Sequence, residues 1–197
     1  MGCQDSLIDT VRIYNRPIAD FSITDTGCGA ITYIPTNNSQ WGGSRNWSVT
    51  PSIPISNPAI LQPIFSFPEN TTSTTIIYTI QLIVITDPPG NCKDTALPKT
   101  VTIYPTPSVT FTPSNTDGCD SINITFTNTS DPKNSELIGS MTFNWFIDGL
   151  SFSNNQDTNC VFTNSGIVDS IYQIILEGTS LHGCVSSDTL DITIYPD

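Results

Sequence analysis

Basic residues are scarce in this chain. It carries 6 Lys and Arg in 197 residues against 18 Asp and Glu, for a net charge of −12. Phosphate recognition needs clustered cations, so nucleic acid is excluded as a partner, and anionic membrane surfaces are disfavoured on the same ground. Histidine is scarcer still, with His182 alone, and none of the 6 cysteines forms a Cys-x-x-Cys pair. A zinc site therefore lacks its usual ligand pattern. No apolar run approaches the ~18 residues of a membrane span, and the first thirty residues lack the apolar core of a secretory leader. Nucleophile-elbow, P-loop and His-Glu-x-x-His motifs are all missing, which leaves no sequence signature of catalysis.

What is present is turn and strand chemistry. Ser, Thr and Asn fill much of the chain, 15 prolines punctuate it, and apolar residues recur in short ordered runs. The segment Val101-Thr-Ile103-Tyr104 alternates apolar and polar residues with period two. So do Ile122-Asn-Ile124-Thr-Phe126 and Tyr78-Thr-Ile80-Gln-Leu82, the pattern of half-buried strands rich in β-branched residues. Asp87-Pro-Pro-Gly90, Asp131-Pro132 and Asp148-Gly149 supply turns between them. Pro51, Pro54, Pro58, Pro63 and Pro68 exclude a helix across 51–68, because proline removes a donor and clashes within a helix. Only Ser135–Met141 suits a helical turn.

The chain also repeats itself. Val11-Arg-Ile-Tyr14, Val101-Thr-Ile-Tyr104 and Ile192-Thr-Ile-Tyr195 recur at intervals of 90 and 91 residues. A cysteine precedes each, in Gly2–Ser6, Asn91–Thr95 and Gly183–Asp188. Thr26–Ser39 matches Asp117–Ser130, and Tyr78–Leu82 matches Tyr172–Leu176. The parse is a last strand of a preceding repeat or a linker at 1–14, one repeat at 15–105 and a second at 106–197, cut from a longer array. With about seven short strands per repeat, each reads as an immunoglobulin-like β-sandwich. Strands are expected near 18–24, 29–35, 46–50, 63–67, 77–86 and 99–104. Their counterparts lie near 108–112, 121–127, 142–147, 160–163, 171–179 and 189–195. Trp47 and Trp145, with Tyr78 and Tyr172, are the expected core aromatics.

On these residues the chain resembles tandem PKD-like domains. It is similar in particular to repeats of giant Bacteroidetes surface adhesins, including gliding-motility adhesins exported by the type IX secretion system. The shared features are Pro17-x-x-x-Phe21 and Pro107-x-x-x-Phe111 opening each repeat, the cysteine before the second strand, the Tyr-x-Ile-x-Leu strand and the Gly-Cys-x-Asp turn. The family's aromatic strand running into Phe-Gly-Asp-Gly survives in part as Trp145-Phe-Ile-Asp148-Gly149. It has become Trp47-Ser-Val-Thr50-Pro51 in the first repeat, without the Asp-Gly turn. The resemblance implies an all-β, non-catalytic stalk at the cell surface. Its partners would be neighbouring repeats of the same chain and an adhesion target such as surface polysaccharide. The alternative it leaves open is a spacer or carbohydrate-binding module of a secreted hydrolase.

Site candidates follow from the same reading. Cys3, Cys28, Cys92, Cys119, Cys160 and Cys184, regularly placed in an acidic chain, are candidate disulfide formers and point to an oxidising, extracellular compartment. Two pairings compete. Equal spacing favours Cys28–Cys92 and Cys119–Cys184 within repeats. The ~20 Å length of a strand separates those positions beyond the ~7 Å that a disulfide allows, which favours Cys28–Cys184 between repeats. Cys160 has no evident partner. Turn aspartates at 25, 117, 120, 131, 148 and 157 admit calcium as a counter-ion but lack any EF-hand spacing. Asp-Ser/Thr-apolar triplets at Ser6, Thr10, Thr95, Ser121, Ser170 and Thr189 resemble O-glycosylation signals of Bacteroidetes, a pattern that a turn Asp before a strand start also produces, and Asn70-Thr-Thr72 fits an N-glycosylation acceptor only in a eukaryotic secretory pathway. His182 beside Cys184 reads as a surface-turn histidine rather than half of a thiol–imidazole dyad, since its first-repeat counterpart, the Asp87–Asn91 turn, has no histidine. Lys93, Lys99 and Lys133 are candidates for isopeptide crosslinks, although their positions do not repeat.

Overall fold

The computed structural model describes residues 2, 4–133 and 138–196. Cys3 and the first part of the expected helical turn at 135–141 lie outside them. Among the described residues there is no α-helix, and only Ile138–Ser140 form a 3₁₀ turn. Among the described residues no helix is long and apolar enough to cross a membrane.

The strands in chain order are β1 (Phe21–Ser22), β2 (Thr26–Cys28), β3 (Ile31–Tyr33), β4 (Thr36–Asn37), β5 (Ser44–Thr50), β6 (Phe65–Phe67), β7 (Ile76–Ile85), β8 (Lys93–Thr95) and β9 (Lys99–Tyr104). They continue with β10 (Phe111–Pro113), β11 (Asp117–Cys119), β12 (Ser121–Asn128), β13 (Thr142–Ile147), β14 (Leu150–Ser153), β15 (Thr158–Thr163), β16 (Ser170–Thr179) and β17 (Val185–Tyr195). The chain divides into two compact units that interleave in sequence. One comprises Met1–Thr24, Tyr33–Phe65 and Thr79–Thr100, and the other Asp25–Thr32, Ser66–Tyr78 and Val101–Asp197.

In the first unit, β5 pairs antiparallel with β7 over Ser44–Thr50 and Thr79–Ile85. β8 pairs with the end of β7, and β1 pairs with β4. Period-two alternation sends Trp47, Val49, Ile80, Leu82 and Val84 to one buried face. The Trp47 ring meets Phe21 and Phe65 edge-on at 5.0 and 6.0 Å, and its indole N–H donates to the Ile60 carbonyl at 3.1 Å. That bond lets a large ring with one polar atom stay buried. Residues 4–14 alternate as a strand would, yet they join no ladder, and Leu7, Ile8, Val11 and Ile13 stand exposed. Apolar alternation without a paired neighbour has no hydrogen-bonding partner to fix it as a strand.

The second unit holds a two-sheet sandwich. One sheet is β10-β12-β15, and the other is β11-β17-β16-β13-β14. Pairing is antiparallel throughout except at β11, which runs parallel to β17. The chain thus starts on the first sheet at β10 and crosses to the edge of the second at β11. This order makes the fold an all-β, immunoglobulin-like sandwich. Ile124 and Phe126 from one sheet and Trp145, Ile174, Leu176, Ile192 and Ile194 from the other fill the core. Trp145 is fully buried and gives its indole N–H to the Asn155 carbonyl at 3.0 Å. β13 and β14 turn at Asp148 and Gly149, both at positive φ, as a two-residue hairpin requires. Phe67, Tyr78, Val101 and Ile103 are buried residues of the same unit. Tyr172 is half-buried, with its hydroxyl donating to the Thr163 carbonyl at 2.8 Å.

Candidate functional site: a disulfide at a parallel sheet edge

The site begins with three residues that break strand alternation. Thr26-Gly27-Cys28 form β2, which runs parallel to β9 in the register Thr26↔Thr102, Gly27↔Ile103 and Cys28↔Tyr104. The Thr102 amide extends this pairing by donating to the Asp25 carbonyl at 2.7 Å. Gly29 follows at φ +65 and turns the chain away. Cys28 is joined to Cys184, with Cα atoms 5.3 Å apart and a sequence separation of 156. Cys184 is fully buried. It ends a tight turn in which the Ser180 amide donates to the Cys184 carbonyl at 2.8 Å and the Cys184 amide donates to the Ser180 hydroxyl at 3.2 Å. Gly183, at φ +79, supplies the left-handed residue that the turn needs. The His182 ring lies flat on Tyr104 with centroids 3.9 Å apart and planes 4° from parallel.

This bond corrects several sequence expectations. Cys28–Cys92 and Cys119–Cys184 do not form, because Cys28 and Cys184 use each other. Cys92, Cys119 and Cys160 are thiols. The same bond closes off the alternative His182–Cys184 dyad, since a disulfide sulfur is no thiolate. Burial pushes the Cys160 thiol up from its ordinary pKa. It lies on β15 and donates to the Val161 carbonyl at 3.6 Å.

Asn70 is also corrected as a glycan acceptor. It is fully buried, and its amide nitrogen donates to the carbonyls of Thr74 and Ile103 at 2.8 and 3.0 Å. Sequence reasoning missed that Asn164 does the same: its amide donates to Val168 and Ile194, both at 2.8 Å. Each asparagine oxygen also accepts an amide two residues on, from Thr72 and Gly166. An Asn followed by a short Ser/Thr/Gly loop before the Tyr-x-Ile-x-Leu strand was the available signal.

The remaining candidates lie on several segments. Ser6, Thr10, Thr95, Ser121 and Thr189 are exposed and Ser170 is half-buried. Asp148 and Asp157 accept backbone amides of Gln173 and Asn128 at 2.9 and 2.8 Å, and Asp120 lies at φ +53. The Lys133 amide, with its ammonium 2.9 Å away, holds the Asp131 carboxyl below the usual range. Asp25 and Asp117 are exposed. These aspartates are thus spread along the strand ends, and no three potential ligands converge among the described residues. Lys99 sits 3.9 Å from Asp20 and over the Phe21 ring, and Lys93 is exposed.

A second feature belongs to the first unit. Asn15, Arg16, Pro17, Ile18, Trp41 and Asp94 line a shallow cleft of about 420 Å³. Trp41 is 57% exposed at φ 54. Asp94 accepts the Ala19 amide at 2.8 Å and pairs with Arg16 at 3.2 Å, and the two together hold its carboxyl below the usual carboxylate range.

No protein-family model matches the chain, and no curated protein matches it in sequence. Solved structures do resemble it. The fibronectin(III)-like modules of Clostridium thermocellum CbhA share 10% identity over 91% of this chain and 94% of that one, at TM-score 0.41. The N-terminal eight Ig domains of Down Syndrome Cell Adhesion Molecule share 10% over 92% and 25%, at 0.42. The Yersinia pseudotuberculosis adhesin InvE shares 13% over 88% and 58%, at 0.35. At these values each is a distant likeness, and the immunoglobulin-like fold assigned here rests on the strand pairings themselves.

Proposed function

We propose that the chain is a non-catalytic repeat segment of a large extracellular cell-surface adhesin, in which successive ~90-residue sandwiches at 15–105 and 106–197 build a stalk. The observation that carries this reading is the Cys28–Cys184 bond, which ties a residue of one sequence repeat to a residue of the next. A disulfide of this kind persists in an oxidising compartment. A net charge of −12 keeps closely spaced copies soluble, and repeat arrays gain stability from nearest-neighbour contacts. The similarity to gliding adhesins extends the proposal to surface movement. Antibodies raised against the chain are expected to label intact cells of its source. Cells without the gene are expected to lose surface attachment and, where they glide, movement. Antigen confined to a soluble hydrolase fraction would overturn the reading.

The Trp41 cleft favours a second reading, an accessory module that holds a secreted hydrolase to polysaccharide. An exposed indole offers a sugar ring a stacking face, and the adjacent Arg16–Asp94 pair offers hydrogen bonds to hydroxyls. Retention on insoluble polysaccharide that disappears in Trp41→Ala would support it, and absence of retention would remove it.

A further inference from the structure

The disulfide-bonded edge exists twice in the chain, once filled and once open. β11 repeats β2 residue for residue at an offset of 91: Asp117↔Thr193, Gly118↔Ile194 and Cys119↔Tyr195 replace Thr26↔Thr102, Gly27↔Ile103 and Cys28↔Tyr104. The Thr193 amide donates to the Thr116 carbonyl as Thr102 does to Asp25. Asp120 takes positive φ directly after the cysteine, as Gly29 does. In the filled copy the cysteine is bonded and the tyrosine carries the stacked His182 ring. In the open copy Cys119 is an exposed thiol, and no ring stacks on Tyr195 among the described residues.

The other half of the device is also duplicated. The Thr86 amide donates to the Cys92 carbonyl at 2.9 Å, and the Cys92 amide donates to the Thr86 hydroxyl at 2.9 Å. Ser180 and Cys184 make the same reciprocal pair. Asn91 sits at positive φ directly before Cys92, as Gly183 does before Cys184. The Cys92 turn differs in length, Asp87–Asn91 against Leu181–Gly183, and places Pro88-Pro89-Gly90 where the other carries His182.

We propose that the Cys119–Tyr195 edge is a covalent docking socket for a cysteine-bearing turn of the Cys92 type on another repeat, so that the chain carries one socket and one matching plug. This rests on reading the chain as repeats of an array. A plug and a socket on different parts of one chain join head to tail, so that each linked pair still carries one open plug and one open socket. In the step, Cys119 and Cys92 of another copy each lose one electron and one proton to glutathione disulfide. One S–S bond forms between the chains, one breaks in the oxidant, and two glutathione thiols are released. Cys160 competes poorly, because its burial disfavours the thiolate that exchange requires.

The test is oxidation of the concentrated 197-residue chain by a glutathione redox buffer, followed by non-reducing electrophoresis and peptide mapping. Cys3→Ser is the background, so that the one cysteine outside the described residues does not contribute. A ladder of linked oligomers is expected, with a Cys119–Cys92 peptide and an intact Cys28–Cys184 peptide. Cys119→Ser and Cys92→Ser should each abolish the ladder, Cys160→Ser should leave it, and Tyr195→Ala should lower its yield severalfold. Links of Cys119 to Cys119 or Cys160 would overturn the socket. So would a monomer whose Cys119 and Cys92 both end as glutathione mixed disulfides. Such a monomer from a parent that still proves necessary for surface attachment leaves the stalk reading intact. A ladder from a chain whose parent is a soluble hydrolase removes the stalk and keeps the socket.

Discussion

At the scale of single residues, Asn70 and Asn164 show how one polar side chain organises an apolar interior. Each is buried, and each spends both amide hydrogens on main-chain carbonyls, one in the loop that follows and one in a strand ending in tyrosine. Without the amide, those carbonyls lose a donor where water does not replace it. Asn164→Ala should therefore cost about 2–3 kcal/mol, read as a lower midpoint in urea unfolding of the second unit. Asn164→Asp should cost more, since an ionised carboxylate donates nothing to two carbonyls and is buried besides. Equal stability of Asn164→Ala and the parent would show that the loop satisfies its carbonyls by other means. The sequence displays both asparagines, but Asn70 within Asn-Thr-Thr reads as a glycan signal, and Asn164 within Asn-Ser-Gly was not singled out. Burial is what separates an acceptor for a glycan from a fastener for the main chain.

At the scale of elements, the long strands were legible, as were short ones such as β6 within the expected 63–67, while two short edge strands were not. β7 and β16 alternate over ten residues each, and the periodicity expected for 77–86 and 171–179 names them. Trp47 and Trp145 were legible as core residues for the same reason. β2 and β11 escaped notice. Each has three residues, Thr-Gly-Cys and Asp-Gly-Cys, that combine a turn-former with a residue of low strand propensity. They exist because the neighbouring strand offers an edge, a tertiary fact that no local pattern carries. The expected strands at 18–24 and 108–112 end just short of them, and the cysteines were placed in turns. Gly118 shows the constraint on such a strand: a Cβ there would lie 2.9 Å from the Ile122 side chain. Gly118→Val should detach β11 at a cost of about 1–3 kcal/mol. It should also raise amide exchange at Thr193 and Asp120, whose N–H groups are bonded along this edge. Unchanged exchange at those two amides would mean that the strand tolerates the branch by shifting outward.

At the scale of the whole molecule, the all-β, immunoglobulin-like class was the most readable property, and disulfide pairing was the least. Equal spacings in sequence allowed two pairings, because a spacing of 64 or 65 residues says nothing about which end of a sandwich each cysteine reaches. The fold supplies the missing fact by placing Cys28 on a strand edge and Cys184 at the tip of a turn within 5.3 Å between Cα atoms. That bond has a mechanical consequence. When the chain is pulled from residues on either side of it, tension passes through residues 1–28, crosses the sulfurs and leaves through 184–197. The span between them, across a sequence separation of 156, bears no load and cannot unravel. In a single-molecule pulling experiment, adding a reductant should lengthen the fully extended chain by roughly 500 Å, the contour of that span. Equal extension in both conditions would show that the sulfurs are not joined. In the oxidised state the two cysteines act as a seam across which force is short-circuited, so most of the polypeptide rides outside the tether it helps to form.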